Sequence, residues 1–442
     1  MSEHIRERKE LWMNIAFDID GVLTDFEWFL NIYGRKYFSK YKNKSDIIIA
    51  SSSVSERFGY SKKWEKKFYT RYLFWYATQY PIRENAAEVI HTLRQQGNKI
   101  YLITARALAD KETVLGMLMR RCLLKWLKKN RVEYDGIYFV STNNSAEEKC
   151  KLCKALKISI MVEDEPINII KIRGICKVIC MSADYNQAIN SHARAIDFGE
   201  VYWNIIQGQK SFSPLDYKVR EELGNVEKVK YFDDLKNYYV TMPFDMAYLK
   251  QCQNNLQRVL KIFKGVFRML IPYQIIEGKI PISCQGVIFV CNHKSMMDVP
   301  ICYYILNNIQ VRVLTKRELE AMPIGGFMRS IGIIFVNRKD KKSGKATQNL
   351  MIQTLLNDGN ILLFPEGTRN RTSKTLLDFK MGAVYMAQVT GAPIIPIAMY
   401  KKKRIYKIAI GSEINVDALD SLEEKNHCLK ETVQAMLKKL IE

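Results

Sequence analysis

Hydrophobic and polar positions alternate along this chain in two rhythms. Short apolar runs that close on charged or small polar residues stand at MNIAFDI (13–19), NKIYLITAR (98–106) and SIMVEDEP (159–166). Uninterrupted apolar runs of this length are expected of strands buried on both faces, in a parallel sheet. Ahead of the later two lie ENAAEVIHTLRQQG (84–97), which ends on a C-cap glycine, and the amphipathic EEKCKLCKALK (147–157). Both predict helices. Strands alternating with helices predict a doubly wound α/β domain over about residues 10–205. In such sheets ligands sit beyond the carboxyl ends of the strands, where these acidic residues fall.

The rhythm breaks twice. Residues 25–83 contain the aromatic and basic stretch WEKKFYTRYLFWYATQY (64–80) and predict a helical cap inserted after the first strand. Residues 206–245 lose their periodicity and predict a connector, with room for a helix within it. A second series then begins, with VIFVCNH (287–293), VRVLTKREL (311–319), GIIFVNR (332–338), ILLFPEGTR (361–369) and PIIPIAMY (393–400). These runs again end in polar residues. A second α/β domain is therefore expected over 246–442.

The length of 442 residues agrees with two or three domains. The net charge of +22 is spread over both halves of the chain. A basic surface suits phosphate substrates, an anionic membrane or nucleic acid. The ten scattered cysteines predict reduced thiols. The charged start MSEHIRERKELW and the absence of a long uninterrupted apolar stretch argue against a leader or a spanning helix. A cytoplasmic protein, peripheral on the inner face of a membrane, is the expected location.

The first candidate chemistry is DIDGVLTD (18–25). Asp18 and Asp20, two residues apart on an extended chain, point to one side and repel unless one is protonated or a divalent cation lies between them. Such a pair divides labour: Asp18 attacks phosphorus, and Asp20 protonates the leaving oxygen and then activates water. Thr104 can donate to a phosphoryl oxygen, a lysine within 149–154 adds positive charge, and Glu163 with Asp164 completes the ligands of a Mg²⁺ ion. DIDGVLTD, LITAR and VEDEP together resemble the motifs of haloacid-dehalogenase-like phosphohydrolases, with a flavour of the 5′-nucleotidase-like members. The resemblance covers about residues 10–205. It implies a Rossmann-like hydrolase domain acting on a phosphate monoester, with Asp18, Asp20, Asp164 and Glu163 at the metal. Lys149 is the chosen lysine, Lys151 the runner-up. Glu163 departs from the more usual aspartate.

The second candidate combines NHKSMMD (292–298), GIIFVNR, FPEGTR (364–369) and PIIP (393–396). His293 can take the proton of a substrate hydroxyl, and Asp298 can orient the imidazole. Arg338 and Arg369 can clamp a phosphate. Glu366, beside Gly367 and Thr368, can position glycerol hydroxyls or Arg369. These pieces resemble the glycerolipid acyltransferases, especially 1-acyl-sn-glycerol-3-phosphate acyltransferases, over about residues 255–415. The resemblance implies transfer from acyl-CoA or acyl-carrier protein to lysophosphatidate, giving phosphatidate. The alternatives are another lysophospholipid or glycerol phosphate acceptor, with the first domain a regulatory pseudoenzyme.

Residues 255–276 interleave an apolar face with Arg258, Lys261, Lys264 and Arg268. The pattern suits an interfacial helix on anionic lipid and equally a helix covering the second core. The pairs Cys150/Cys153 and Cys176/Cys180 suggest zinc, but the first shares a helix with the lysine and Cys180 lies on an apolar strand. No nucleic-acid partner is expected, because the aromatic insertion carries no binding motif.

Overall fold

The computed structural model describes residues 12–40, 49–206, 220, 222–279, 284–306 and 309–442, with the backbone alone at 264 and 268. Residues 41–48 of the expected insertion and 207–219 of the expected connector lie outside the described residues. The chain forms two compact units, residues 1–211 and 212–442.

In the first unit, β1 (Asn14–Phe17), β2 (Lys99–Thr104), β3 (Gly136–Phe139), β4 (Ile160–Glu163), β5 (Lys177–Met181) and β6 (Ala193–Ala195) form one parallel sheet in the order β3-β2-β1-β4-β5-β6. Alternate residues point to opposite faces of a strand. Ile15, Phe17, Ile100, Leu102 and Val162 pack into one layer, and Ala16, Ile103, Met161 and Cys180 into the other. Both layers are covered by helices, so the strands need apolar residues at every position. The chain runs outward from β1 through β2 to β3, then returns to place β4 on the other side of β1. That reversal opens a crevice between β1 and β4.

The insertion between β1 and β2 holds α1 (Phe26–Phe29), α2 (Arg35–Phe38), α3 (Val54–Phe58) and α4 (Lys62–Gln79). Its two ends meet where Thr24 bridges to Ile82. Its aromatic residues form a core of their own, with Phe29, Phe38, Phe68 and Tyr76 buried. Between the strands run α5 (Ala86–Gln95), α6 (Val114–Lys129), α7 (Ser145–Ala155) and α8 (Pro166–Ile172), and α9 (Phe198–Ile206) follows β6. Strand β5 contains Cys180, already placed on an apolar strand, whereas β3 and β6 were not singled out in the sequence.

The second unit begins with a helix inside the expected connector. Within the stretch expected as a connector lies a 16-residue helix, α10 (Asn225–Val240), with Tyr231, Phe232, Leu235 and Tyr239 buried. The Tyr239 hydroxyl donates to Asn349, 2.8 Å away. Its buried face is made largely of tyrosine and phenylalanine spaced among charges, which weakens the stripe in a hydropathy pattern. Then come α11 (Met246–Leu270), α12 (Asp298–Ile305), α13 (Gly325–Ser330), α14 (Lys341–Leu356), α15 (Gly382–Thr390) and α16 (Leu422–Ile441). They accompany β7 (Tyr273–Glu277), β8 (Ile288–Cys291), β9 (Val311–Lys316), β10 (Ile334–Val336), β11 (Asn360–Leu363), β12 (Ile394–Lys402) and β13 (Ile405–Ile410). The sheet order is β10-β9-β11-β8-β12-β13-β7. Pairing is parallel except for the β12–β13 hairpin. Strand β11 is inserted between β9 and β8, so the polar ends of β8 and β11 become neighbours.

Candidate functional sites

The first site gathers at the β1–β4 crevice. The Asp18 amide donates to Val162 O across it, at 3.0 Å. One Asp18 oxygen accepts the Ile19 amide at 2.7 Å, and the other lies 2.9 Å from the Lys149 ammonium. Lys149 reaches in from α7 and also donates to Glu163 at 2.7 Å. The second Glu163 oxygen accepts the amides of Asp164 and Glu165. Asp164 accepts a short hydrogen bond from the Tyr185 hydroxyl.

Three buried carboxylates, Asp18, Glu163 and Asp164, thus surround one buried ammonium. With all ionised, three negative charges against one positive leave two uncompensated in a site closed to water. Burial pushes the Asp18 carboxyl up to about 8; Lys149 pulls it down, and Glu163 and Asp20 push it further up. Asp164 is raised well above its ordinary value by burial first, then by Glu163 and Asp18. Burial works against the charge on Lys149, but Asp18 and Glu163 more than offset this and raise it. A divalent cation would remove the imbalance. The oxygens fit one: a ligand atom from each carboxylate lies within 4.8 Å of the others. The Asp164 Oδ1 atom is buried with no hydrogen-bond partner. Glu163 has less to offer, since Lys149 and two amides already occupy its oxygens.

Asp20, also expected at the metal, is placed apart from these three carboxylates. Its carboxylate is outside this cluster, because both oxygens accept from the buried guanidinium of Arg106, one of them at 2.9 Å. Arg106 in turn lies 5.0 Å from the ring centre of Tyr76 in the cap, and Tyr76 hydrogen-bonds Thr24 at 2.6 Å. Arg106 stands two residues past Thr104 in the LITAR run and was visible as a cation at a strand end. Tyr185 had no signal, since it arrives from the loop after β5. The Thr104 hydroxyl is buried and, among the described residues, has no hydrogen-bond partner. Such a donor costs free energy unless something arrives to accept from it.

The second site lies at the carboxyl ends of β8 and β11. His293 Nδ1 is 2.9 Å from Asp298 Oδ2, and the same oxygen accepts the Lys294 and Ser295 amides at 2.8 Å each. With Asp298 acting as acceptor throughout, Nδ1 carries the hydrogen and Nε2 is left as an acceptor. The ring packs 4.5 Å from Phe364.

Glu366 is buried and reaches neither Arg369 nor open space. Its two oxygens accept the His293 amide at 2.7 Å and the Leu377 amide at 2.9 Å. The role expected for it, positioning glycerol hydroxyls or Arg369, is therefore replaced by a structural tie between the two motifs. Burial raises its pKa, with the two amides opposing. Gly367 sits at φ +67°, and a Cβ there would press on the Lys380 side chain at 2.7 Å. Arg338 donates to Gly367 O, which brings the end of β10 to this loop. Arg369 is half-buried and Thr368 exposed. Among the described residues, no hydrogen bond or ion pair engages the Arg369 guanidinium. The two arginines are therefore unequal: Arg338 already serves the loop and Arg369 is available.

Residues 12–211 match the family model of 5′ nucleotidase, deoxy (pyrimidine), cytosolic type C protein, and residues 254–400 match that of the acyltransferases. The chain is 30% identical over 161 residues to a 1-acyl-sn-glycerol-3-phosphate acyltransferase of Borreliella burgdorferi, covering 35% of this chain and 64% of that one. It is 29% identical over 146 residues to the Saccharomyces cerevisiae protein of that description, covering 31% and 47%. The match spans less than two thirds of either relative. Among solved structures, the 1-acyl-sn-glycerophosphate acyltransferase PlsC of Thermotoga maritima is similar with a TM-score of 0.35 and 23% identity, covering 49% of this chain and 91% of that one. A predicted phosphoglycolate phosphatase of Haemophilus somnus has a TM-score of 0.30 and 15% identity, covering 44% and 97%.

Gly21 provides a test of the acidic cluster. It sits at φ +82°, and a Cβ there would lie 1.9 Å from Asp164 Oδ2. Gly21→Ala is expected to displace Asp164 and lower Mg²⁺-dependent hydrolysis of an aryl phosphate at least ~10-fold. Turnover equal to wild type would show that Asp164 has no part in that reaction.

Proposed function

With residues 12–211 forming a haloacid-dehalogenase-like domain of 5′-nucleotidase type and residues 254–400 an acyltransferase domain, we propose that the protein acylates lysophosphatidate to phosphatidate and also hydrolyses a phosphate monoester. The observation that carries the first activity is the His293–Asp298 contact of 2.9 Å, tied through the His293 amide to Glu366 of the loop that carries Arg369. His293 Nε2 takes the proton of the acceptor hydroxyl as its oxygen attacks the carbonyl carbon of an acyl thioester. The C–O bond forms, the C–S bond breaks, and the proton leaves with the thiol of acyl-CoA or acyl-carrier protein. Arg369 binds the acceptor phosphate, and Arg338 holds the loop that presents it.

In the first domain Asp18 attacks phosphorus, Thr104 donates to a phosphoryl oxygen and Lys149 holds the nucleophile's other oxygen in place. Asp20 protonates the departing ester oxygen, and water then cleaves the aspartyl phosphate. A bound Mg²⁺, held by Asp18 and Asp164 with Glu163 nearby, would supply charge neutralisation at the phosphoryl group. For Asp20 to give up a proton, Arg106 has to turn from it toward the incoming phosphate. That engagement of Asp20 also favours a second reading, in which the first domain binds a phosphate compound and regulates without turnover.

We place the second domain on an anionic membrane surface. Toward the end of α11, Ile262, Val266, Met269 and Leu270 are exposed. With Met297, Lys401 and Arg404, three of them (Val266, Met269 and Leu270) line a cavity of about 560 Å³. Apolar side chains rimmed by cations suit a lipid interface. Among the described residues no helix is long and apolar enough to cross a membrane.

His293→Ala is expected to reduce acyl transfer to lysophosphatidate by about 10³-fold or more, while aryl phosphate hydrolysis continues. Loss of both in a folded protein would refute independent sites. Asp18→Asn should abolish aryl phosphate hydrolysis; if wild-type protein shows none, the regulatory reading stands instead. Replacing Val266 and Leu270 by aspartate should weaken pelleting with anionic liposomes at low salt, and undiminished pelleting would remove α11 from the interface.

A further inference from the structure

A second apolar face lies on the first domain, on α6. The sequence of this helix, VLGMLMRRCLLKWLKK, contains five cationic residues and no acid. Its inner side is accounted for: Met119 packs beside Ala77 of the cap helix α4, and Leu123, Trp126 and Leu127 enter the main core. Its outer side carries two unlike halves. In the first two turns Val114, Leu115, Met117 and Leu118 are 75%, 53%, 47% and 46% exposed. Leucine, methionine and valine clustered in this way are rare on a surface that faces only water.

Beyond them on the same side, Arg121, Lys125, Lys128 and Lys129 are exposed. Among the described residues none of these four has an acidic partner. The acids at the edge of the patch are already taken: Asp110 pairs with Lys111 at 2.7 Å and Glu112 with Arg120 at 3.6 Å. The face therefore joins an apolar tip to an uncompensated cationic flank. This is the chemistry of an anionic lipid surface, where apolar side chains enter the acyl boundary and cations meet headgroup charge.

The position of the face gives it a bearing on substrate. α6 follows β2 through residues 105–113, so its first turns lie at the carboxyl edge of the sheet, where Thr104 and Arg106 stand. Gly116 fixes this connection, since a Cβ there would lie 2.0 Å from Lys111 O. Arg120 ties the same loop through Ala109 O and Lys111 O at 2.8 and 3.0 Å. The loop that carries the phosphate-facing residues is thus rigidly joined to the exposed tip.

We infer that the outer face of α6 docks on an anionic lipid surface, and that the first domain takes its phosphate monoester from that surface, as the headgroup of a lipid. The substrate part rests on the phosphohydrolase reading above; the docking part does not. The test uses the full chain and flotation with phosphatidylcholine vesicles, with and without phosphatidylglycerol. Leu115→Asp with Leu118→Asp is expected to lower partition onto the anionic vesicles at least ~10-fold, with hydrolysis of a soluble aryl phosphate unchanged. The same variant should lose hydrolysis of phosphatidate presented in vesicles. Unchanged partition overturns docking through α6, whatever α11 does. A wild-type dimer that the variant dissociates overturns it too, because the face would then meet a second copy of the chain. If the double variant fails to fold, Lys125→Glu with Lys128→Glu replaces it. That pair should abolish the preference for phosphatidylglycerol, and an unchanged preference is equally fatal. Soluble aryl phosphate left unhydrolysed by wild type removes the phosphohydrolase reading but leaves the docking result intact.

Discussion

Both sites depend on one interaction: a buried carboxylate accepting backbone amides just past the end of a parallel strand. Strands in such a sheet end in amides that have left the ladder, and those amides need acceptors if they are to be buried. Asp18 accepts Ile19, and Glu163 accepts Asp164 and Glu165. Asp298 accepts Lys294 and Ser295, and Glu366 accepts His293 and Leu377. Each bond to an ionised acceptor is stronger than a neutral one, roughly 1.5–3 kcal/mol. The acids therefore shape the loops that display the reactive groups, and both Glu366 oxygens are engaged in this way.

The two sites use that shared device to opposite electrostatic ends. In the first, burial raises Asp18 and Asp164 together, and carboxylates that outnumber the nearby ammonium add to it. Such a site calls for a cation before it can receive a phosphate. In the second, the acids are consumed by backbone amides and by one imidazole, and among the described residues none pairs with Arg369. One parallel-sheet plan thus serves two electrostatically contrasting pockets within a single basic chain.

Exposed apolar residues extend the contrast to the surface. The cap's aromatic run packs its rings largely on one another. Clusters of exposed apolar residues lie on α6 and on the end of α11. A helix needs only about a third of its circumference to hold a core. Both helices carry more apolar residues than that, and the remainder faces outward among cations.

Sequence alone determined the alternation of strand and helix, and it put Asp18, Thr104, Glu163, His293 and Glu366 at strand ends, because period and polarity are local properties. Lys149 was within reach for the same reason, being one helical spacing ahead of β4. Strand order could not be read this way. Whether β11 lies beside β8, and so whether FPEGTR meets NHKSMMD, depends on crossovers that no local pattern records. The fine division of labour was equally hidden: Asp20 turned to Arg106, Glu366 turned to two amides, and Arg338 bound a carbonyl while Arg369 did not. These are competitions between neighbours brought together from distant parts of the chain. Only the folded geometry decides them, because a carboxylate pairs with whichever donor is closest once water has been excluded.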